Sequence, residues 1–324
     1  MIINKRLKVY KIVLVGCGNI GFRYYQSLSK LNLNIELSIF DKQKKRYNNF
    51  FNKKNGKLRI IKIDKLDNIK KKIDLLIIAT TSNVRVKILN KILKLANLKK
   101  VILEKTLCQT IRELNTLKRL NAEYNLDSWV SSPKSTWRDY LLLKKKINYK
   151  KDKPFYVNIT GSNWGFASNT IHHLHLIDFL FKKPKIISTF LSKSNNWFES
   201  KRNSFFDTHG VYKIKYTNNS LVTLKDFDNT KSRNWKMIIN YNNQKIMVNE
   251  FKNTIFTKNK KKLFNSENLS ENYKNVLKEI LLKGKTKLPS LDNSINKHYF
   301  LIKNFLASWN AFTKKKYNTK LPVT

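Results

Sequence analysis

The first apolar segment is short: Lys11-Ile12-Val13-Leu14-Val15, hydrophobic after its first residue. Leu75 to Thr80 and Lys100 to Leu103 repeat the pattern, as strands buried on both faces do, and Ile35 to Phe40 reads as a further strand. Between them, Phe22 to Leu31 is compatible with a helix and Val84 to Leu95 reads as an amphipathic helix. Alternation of strand and helix at this interval predicts an α/β domain, a doubly wound parallel sheet, over residues 1–130. Beyond that point the period shortens to two. Phe155 to Gly161, Lys185 to Ser192, Val211 to Tyr216, Leu221 to Phe227, Lys236 to Tyr241 and Lys245 to Glu250 read as strands. Asn218-Asn219 and Asn242-Asn243 suit hairpin turns, because asparagine tolerates positive φ. With late helices at Leu269 to Lys283 and Ser294 to Phe312, residues 131–324 are expected to form an α+β domain with a mostly antiparallel sheet.

Gly16-Cys17-Gly18-Asn19-Ile20-Gly21 stands between the first strand and the first helix. In that setting the first glycine permits a tight turn, the second lets a pyrophosphate approach the backbone, and the third lets helix and sheet pack closely. The phosphates then meet the unpaired N–H groups and positive dipole of the helix N-terminus. Asp41 closes the second strand twenty residues beyond Gly21, where a carboxylate can accept hydrogen bonds from an adenosine ribose. The combination predicts a Rossmann dinucleotide domain, with Gly16, Gly18, Asn19, Ile20, Gly21 and Asp41 holding the cofactor. Thr80, Ser82, Glu104 and Lys105 follow later strands at the carboxyl ends that border the crevice of such a sheet, and join the cofactor-binding set. Lys105 is also a candidate for chemistry: an ammonium there can bond a substrate carbinol or carbonyl oxygen and favour the alkoxide-like charge of hydride transfer. Asp41 favours NAD by repelling a 2′-phosphate, whereas Lys42, Lys44 and Lys45 leave NADP as the alternative.

Composition narrows the partners. The 324 residues carry a formal charge of +45. The lysines come in short runs such as Lys70 to Lys72, Lys144 to Lys146 and Lys260 to Lys262, and mark no single arm. An abundance of Asn, Ile, Phe and Tyr beside only 8 Gly and 5 Pro fits A/T-rich coding, so no specific nucleic-acid partner is expected. The charge should still draw anionic substrates, less so as salt rises. The two cysteines, Cys17 and Cys108, fit a reduced, cytoplasmic setting; neither a signal peptide nor a membrane span is expected.

Three of the five histidines fall in Gly161 to Asp178. On a helix His172 and His175 would share a face near Asp178, while His173 would point elsewhere. An imidazole of near-neutral pKa can take the hydroxyl proton as hydride departs, which makes His172 the second catalytic candidate and His175 and Asp178 its support. Ligand spacing for a metal is lacking, and none is expected.

These residues resemble the glucose–fructose oxidoreductase, inositol dehydrogenase and MocA family of NAD(P)-dependent oxidoreductases over nearly the whole chain. The likeness rests on Gly16 to Gly21, Ala79-Thr80, Glu104-Lys105 and the Asn163-Trp164-Gly165 to Ile171-His172 segment. It extends to Leu288-Pro289-Ser290-Leu291, Ser308-Trp309-Asn310 and Leu321-Pro322-Val323-Thr324, which look like the branch associated with cell-surface polysaccharide sugars. The resemblance implies hydride transfer to or from a sugar or sugar-nucleotide, with catalytic roles on Lys105 and His172 and substrate contacts at Lys134, Trp164 and Asn169. It also implies a second domain that shapes the sugar site and pairs subunits, hence a homo-oligomer, dimer or tetramer. Four positions depart from the family pattern. Thr106 replaces a proline, His175 an aspartate, Arg85 a frequent histidine and Lys134 a common arginine. Since a cis bond before a residue other than proline costs about 3–4 kcal/mol, the Lys105–Thr106 peptide is expected to be trans. The departures also keep open a non-catalytic, dinucleotide-binding sensor or partner protein of the same fold.

Overall fold

The structure, a computed structural model, describes residues 8–51, 57–151, 153–182, 184–192, 196–228, 233–257, 260–264, 268–315 and 317–324. In chain order the principal strands are β1 (Val9–Val15), β2 (Asn34–Phe40), β3 (Leu58–Lys62), β4 (Leu75–Ile78), β5 (Lys100–Glu104), β6 (Asp127–Ser131), β7 (Phe155–Ser162) and β8 (Ile186–Leu191). They continue with β9 (Gly210–Tyr216), β10 (Leu221–Phe227), β11 (Asn234–Tyr241), β12 (Gln244–Asn249), β13 (Thr254–Thr257) and β14 (Lys260–Leu263). The longer helices are α1 (Asn19–Ser29), α2 (Ser82–Leu95), α3 (Ile111–Glu123), α4 (Arg138–Ile147), α5 (Phe166–Leu180), α6 (Leu269–Lys283) and α7 (Leu291–Thr313).

Two compact units emerge. One comprises the chain up to Cys108 with Asn115–Ser131 and Asn268–Asp292; the other comprises Gln109–Leu114, Ser132–Glu267 and Asn293–Thr324. In the first, six parallel strands run in the order β3-β2-β1-β4-β5-β6. The central strand β4 is buried at all four positions, as its unbroken apolar run requires. The edge strand β6 is covered, because Val130 N–H donates to Pro289 O at 2.9 Å and Trp129 bridges to Ser290.

Helix α6 belongs to this first unit. Asn268 caps its start by accepting the Ser270 N–H, and Gly284 ends it at φ +65. Its Tyr273 stacks on Tyr24 of α1 with ring centroids 4.4 Å apart, and Ser27 Oγ donates to Ser270 O at 2.7 Å.

In the second unit, eight strands run in the order β8-β9-β10-β7-β11-β12-β13-β14, and the β7–β10 pair is parallel while its neighbours are antiparallel. Alternate residues such as Phe155, Val157 and Ile159 are buried, with Tyr156 and Asn158 exposed between them. Phe305 of α7 meets Phe166 of α5 at 5.5 Å and Tyr212 of β9 at 5.9 Å, so both helices lie on the sheet's apolar face. Asn242 and Asn243 both take positive φ in the β11–β12 hairpin, and Asn219 does so between β9 and β10.

Candidate active site

The glycine turn joins β1 to α1. Gly16 has φ +99, and a Cβ there would lie 2.7 Å from the Ala79 carbonyl; one on Gly21 would lie 1.9 Å from Gly16 O. The middle glycine differs. A Cβ on Gly18 would have only Arg46 Nη1 near it, 4.0 Å away, so the turn is open where a pyrophosphate has to approach. Neither a capping side chain nor an acidic residue occupies the first turn of α1, which leaves its N-terminal amides and dipole to an anion. Asn19 and Ile20 begin that helix, Asn19 exposed and Ile20 half-buried.

Asp41 directly follows β2 and is buried. Its Oδ2 accepts the Cys17 N–H at 2.7 Å and lies 3.3 Å from Arg46 Nη1, and its Oδ1 accepts the Gln43 N–H at 2.7 Å. Burial, and next the Asp41 charge, push the Cys17 thiol up to about 12, so it stays protonated. The short helical turn Lys44–Tyr47 brings Arg46 back toward the glycines, a contact the run of basic letters does not announce.

At the ends of β4 and β5 the buried guanidinium of Arg85 ties two loops together. Its Nη2 donates to Thr80 O, and its Nη1 donates to Thr106 O and to Leu107 O at 3.2 Å. The Lys105–Thr106 peptide is cis, contrary to the trans expectation, and sits in the loop that Arg85 fastens. Lys105 is half-buried, and its positive charge helps to stabilise the Glu104 carboxylate. Burial raises the Glu104 pKa above the ordinary carboxylate range, against hydrogen bonding from Ser131 and the charge of Arg85. Glu104 Oε1 accepts from Tyr24 Oη at 3.1 Å, Ser131 Oγ lies 2.9 Å from the same phenol oxygen, and Ser131 in turn bonds Tyr273. Among the described residues Thr80 Oγ1 is buried without a partner, an orphan hydroxyl at the strand end where a cofactor contact was predicted. Ser82 is fully buried at the start of α2.

The remaining candidates lie in the second unit. Gly165, at φ +79, leads into α5, whose first turn is capped from outside by Asp207, accepting from Ala167 N–H and Ser168 Oγ, both at 2.7 Å. His172 is half-buried, with Nδ1 2.9 Å from Ser132 Oγ. His173 is packed edge-on between Trp164 and Trp235 and is kept neutral by burial, with the Lys134 charge adding to the effect. His175 bonds Ser294, and its pKa is well below the usual imidazole range through burial first and then the charges of His298 and Lys297. Asp178 pairs with Lys297. The face predicted for His172, His175 and Asp178 therefore divides, with His172 at Ser132 and the other two at α7.

Trp164 is 1% exposed, so its ring is core, and Asn169 Nδ2 donates to its carbonyl at 2.6 Å. Lys134 meets both carboxylate oxygens of Glu250 at 2.9 and 3.0 Å and lies 4.0 Å over the Trp235 ring. Tyr140 Oη donates to the same carboxylate. Glu250 and Ser132 went unmarked in the sequence, since each acts through a partner distant along the chain. So did the His209–Asp226 pair at 3.0 Å, where burial raises the Asp226 pKa. No cluster of three or more His, Cys, Asp or Glu side chains suited to a metal occurs among the described residues.

Burial lowers the Lys134 pKa while Glu250 resists the shift, so Glu250→Gln should lower it further and destabilise the fold by about 3 kcal/mol near neutrality. Between a depressed folded pKa and the ordinary lysine value the unfolded chain binds more protons, and stability rises with pH. The deficit of Glu250→Gln should therefore shrink as urea unfolding is repeated from pH 7 toward pH 10; a constant deficit would exclude a buried-charge origin.

Residues 10–132 match the family model described as "Oxidoreductase family, NAD-binding Rossmann fold", the GFO_IDH_MocA group. The match covers less than half of the chain, and over those residues the chain is similar to this oxidoreductase family. No curated protein matches by sequence. Solved structures share the fold. UDP-N-acetylglucosamine 3-dehydrogenase GnnA from Acidithiobacillus ferrooxidans superposes with TM-score 0.72 at 11% identity, covering 94% of this chain and 99% of its own. GenD2 from gentamicin A biosynthesis, solved with NAD, gives TM-score 0.72 at 10% identity over 94% and 95%. A super-repressor mutant of Gal80p from Saccharomyces cerevisiae gives 0.74 at 11% identity over 96% and 100%. In the family's terms, the matched region contains the glycine turn, Asp41 and Glu104-Lys105, whereas His172 lies beyond it. No helix among the described residues is long and apolar enough to cross a membrane.

Proposed function

We propose that this protein is an NAD(P)-dependent dehydrogenase that moves a hydride to or from a carbon bearing a hydroxyl or carbonyl on a sugar or sugar-nucleotide. The open Gly18 position at an uncapped helix N-terminus carries this reading, because it is the feature a bound diphosphate needs and a purely structural turn does not. Gly16 to Gly21 hold the diphosphate and Asp41 borders the adenosine ribose, and the choice between NAD and NADP is decided by the groups around that carboxylate. When bound, the dinucleotide supplies the hydride acceptor or donor. Lys105 bonds the substrate oxygen and stabilises the negative charge that grows on it. His172 accepts the hydroxyl proton in oxidation and returns it in reduction, with Ser132 fixing its ring through Nδ1. Lys134 is the substrate-side cation, its charge balanced by Glu250.

One structural relative is named a UDP-N-acetylglucosamine 3-dehydrogenase, and another comes from gentamicin A biosynthesis and was solved with NAD; the first supports a carbohydrate substrate and the second a nicotinamide cofactor. A cytoplasmic homo-oligomer in surface-polysaccharide sugar metabolism is the setting this reading favours. The second reading is a dinucleotide-binding sensor without turnover. The engagement of His175 and Asp178 with α7, and the likeness to Gal80p, speak for it. A panel of sugars and nucleotide-activated sugars, assayed with NAD and NADP for nicotinamide reduction or oxidation, separates the two. Turnover of at least one substrate is expected; dinucleotide binding with no turnover across the panel would favour the sensor.

A further inference from the structure

Asp41 is the residue expected to exclude a 2′-phosphate, yet its carboxylate is already heavily engaged. A carboxylate offers about four acceptor directions. Cys17 N–H, Gln43 N–H and Arg46 Nη1 take three of them, at 2.7, 2.7 and 3.3 Å. One direction remains for a ribose that presents two hydroxyls.

The charge is offset as well. Arg46 stands against Asp41, 44% of its side chain exposed, and its Nη1 is the atom nearest to where a Gly18 Cβ would be. Lys42 and Lys45 beside it are exposed, and Lys44 faces Asp64 at 3.6 Å. A guanidinium with unused donors next to a neutralised acid suits the planar, bidentate recognition of a phosphate.

We infer that Arg46 makes this turn accept a 2′-phosphorylated adenosine ribose, so that NADP is bound alongside NAD. The inference rests on the dinucleotide reading above and adds the residue that decides its selectivity.

Adenosine 2′,5′-bisphosphate and 5′-AMP probe this end of the site without involving the nicotinamide end or turnover. Titration calorimetry on the full chain should show the bisphosphate binding about 10- to 100-fold more tightly than 5′-AMP, the range of one or two charge-assisted hydrogen bonds. Arg46→Ala should erase most of that advantage while leaving 5′-AMP affinity within about threefold, and Arg46→Lys should keep part of it. NAD and NADP, titrated in parallel, should follow the same order. The inference is overturned if the wild-type chain binds the two mononucleotides equally, or if Arg46→Ala keeps the full preference, as the general field of a chain at +45 would produce. Equal weakening of both ligands in Arg46→Ala would overturn it too, by showing that Arg46 supports the turn without reading the phosphate. Failure of all four ligands to bind would instead bring down the dinucleotide reading beneath it.

Discussion

Lys105→Ala is expected to lower turnover by about 10²- to 10⁴-fold while NAD affinity stays within about threefold. The lysine follows β5, in the loop that Arg85 ties to the end of β4, so its removal deletes a charge and leaves the loop's anchors in place. His172→Ala should show a loss of the same order. His172 belongs to the second unit, outside the glycine motif, and dinucleotide titration should be unaffected. If both groups act on one proton and one oxygen, the double variant should lose far less than the product of the two single losses. Pre-steady-state rates with saturating cofactor are the proper measurement, since they report the chemical step. Normal rates in either single variant would remove that residue from the mechanism.

Gly21→Ala and Gly18→Ala should part company. The methyl at position 21 would lie 1.9 Å from Gly16 O, a backbone atom whose own residue is held by a 2.8 Å bond from its N–H to Phe40 O. Neither side can give. A cost at the upper end of overpacking, about 3 kcal/mol, is expected, equivalent to a fall in Tm of about 6–12 °C in a unit of this size, together with loss of dinucleotide binding. At position 18 the backbone, with φ −73, suits alanine and the new methyl enters open space. Gly18→Ala should therefore melt within about 2 °C of the parent while binding NAD at least about tenfold more weakly. Calorimetry and a dinucleotide titration on the two variants test this together. Equal effects on stability would refute the division of labour among the glycines.

Periodicity located most elements because burial and period coincide in them. Leu269 to Lys283 is the helix the spacing predicts, residue for residue. Its membership in the first unit was not legible, because the partner face on α1, with Tyr24 and Ser27, lies more than 240 residues earlier in the chain. Strand β3 was missed since its burial is partial and its sequence mixes Arg and Lys with isoleucine. Strand β6 was missed for the opposite reason: its serines look like a loop but are buried, Ser128 bonding Asn121 and Ser131 bonding Tyr24. Gly16 to Gly21, Asp41 and Lys105 could be singled out as candidates because local sequence defines them. Arg46, Ser132 and Glu250 could not, as each is known by what long-range folding brings beside it. The trans expectation at Lys105–Thr106 weighed the intrinsic preference of one bond, without the Arg85 clamp on the same loop.

The Tyr24–Ser131–Tyr273 hydrogen-bond chain bears on how portable the nucleotide module is. A fragment ending at Ser131 would retain every glycine and acid of the motif, yet would expose the aromatic side of α1 and strip Ser131 of a phenol. Anyone grafting this module onto another protein would have to bring the 268–292 segment with it, stitched back by a linker. For such engineering the transplantable piece is defined by packing, and the motif boundaries understate it.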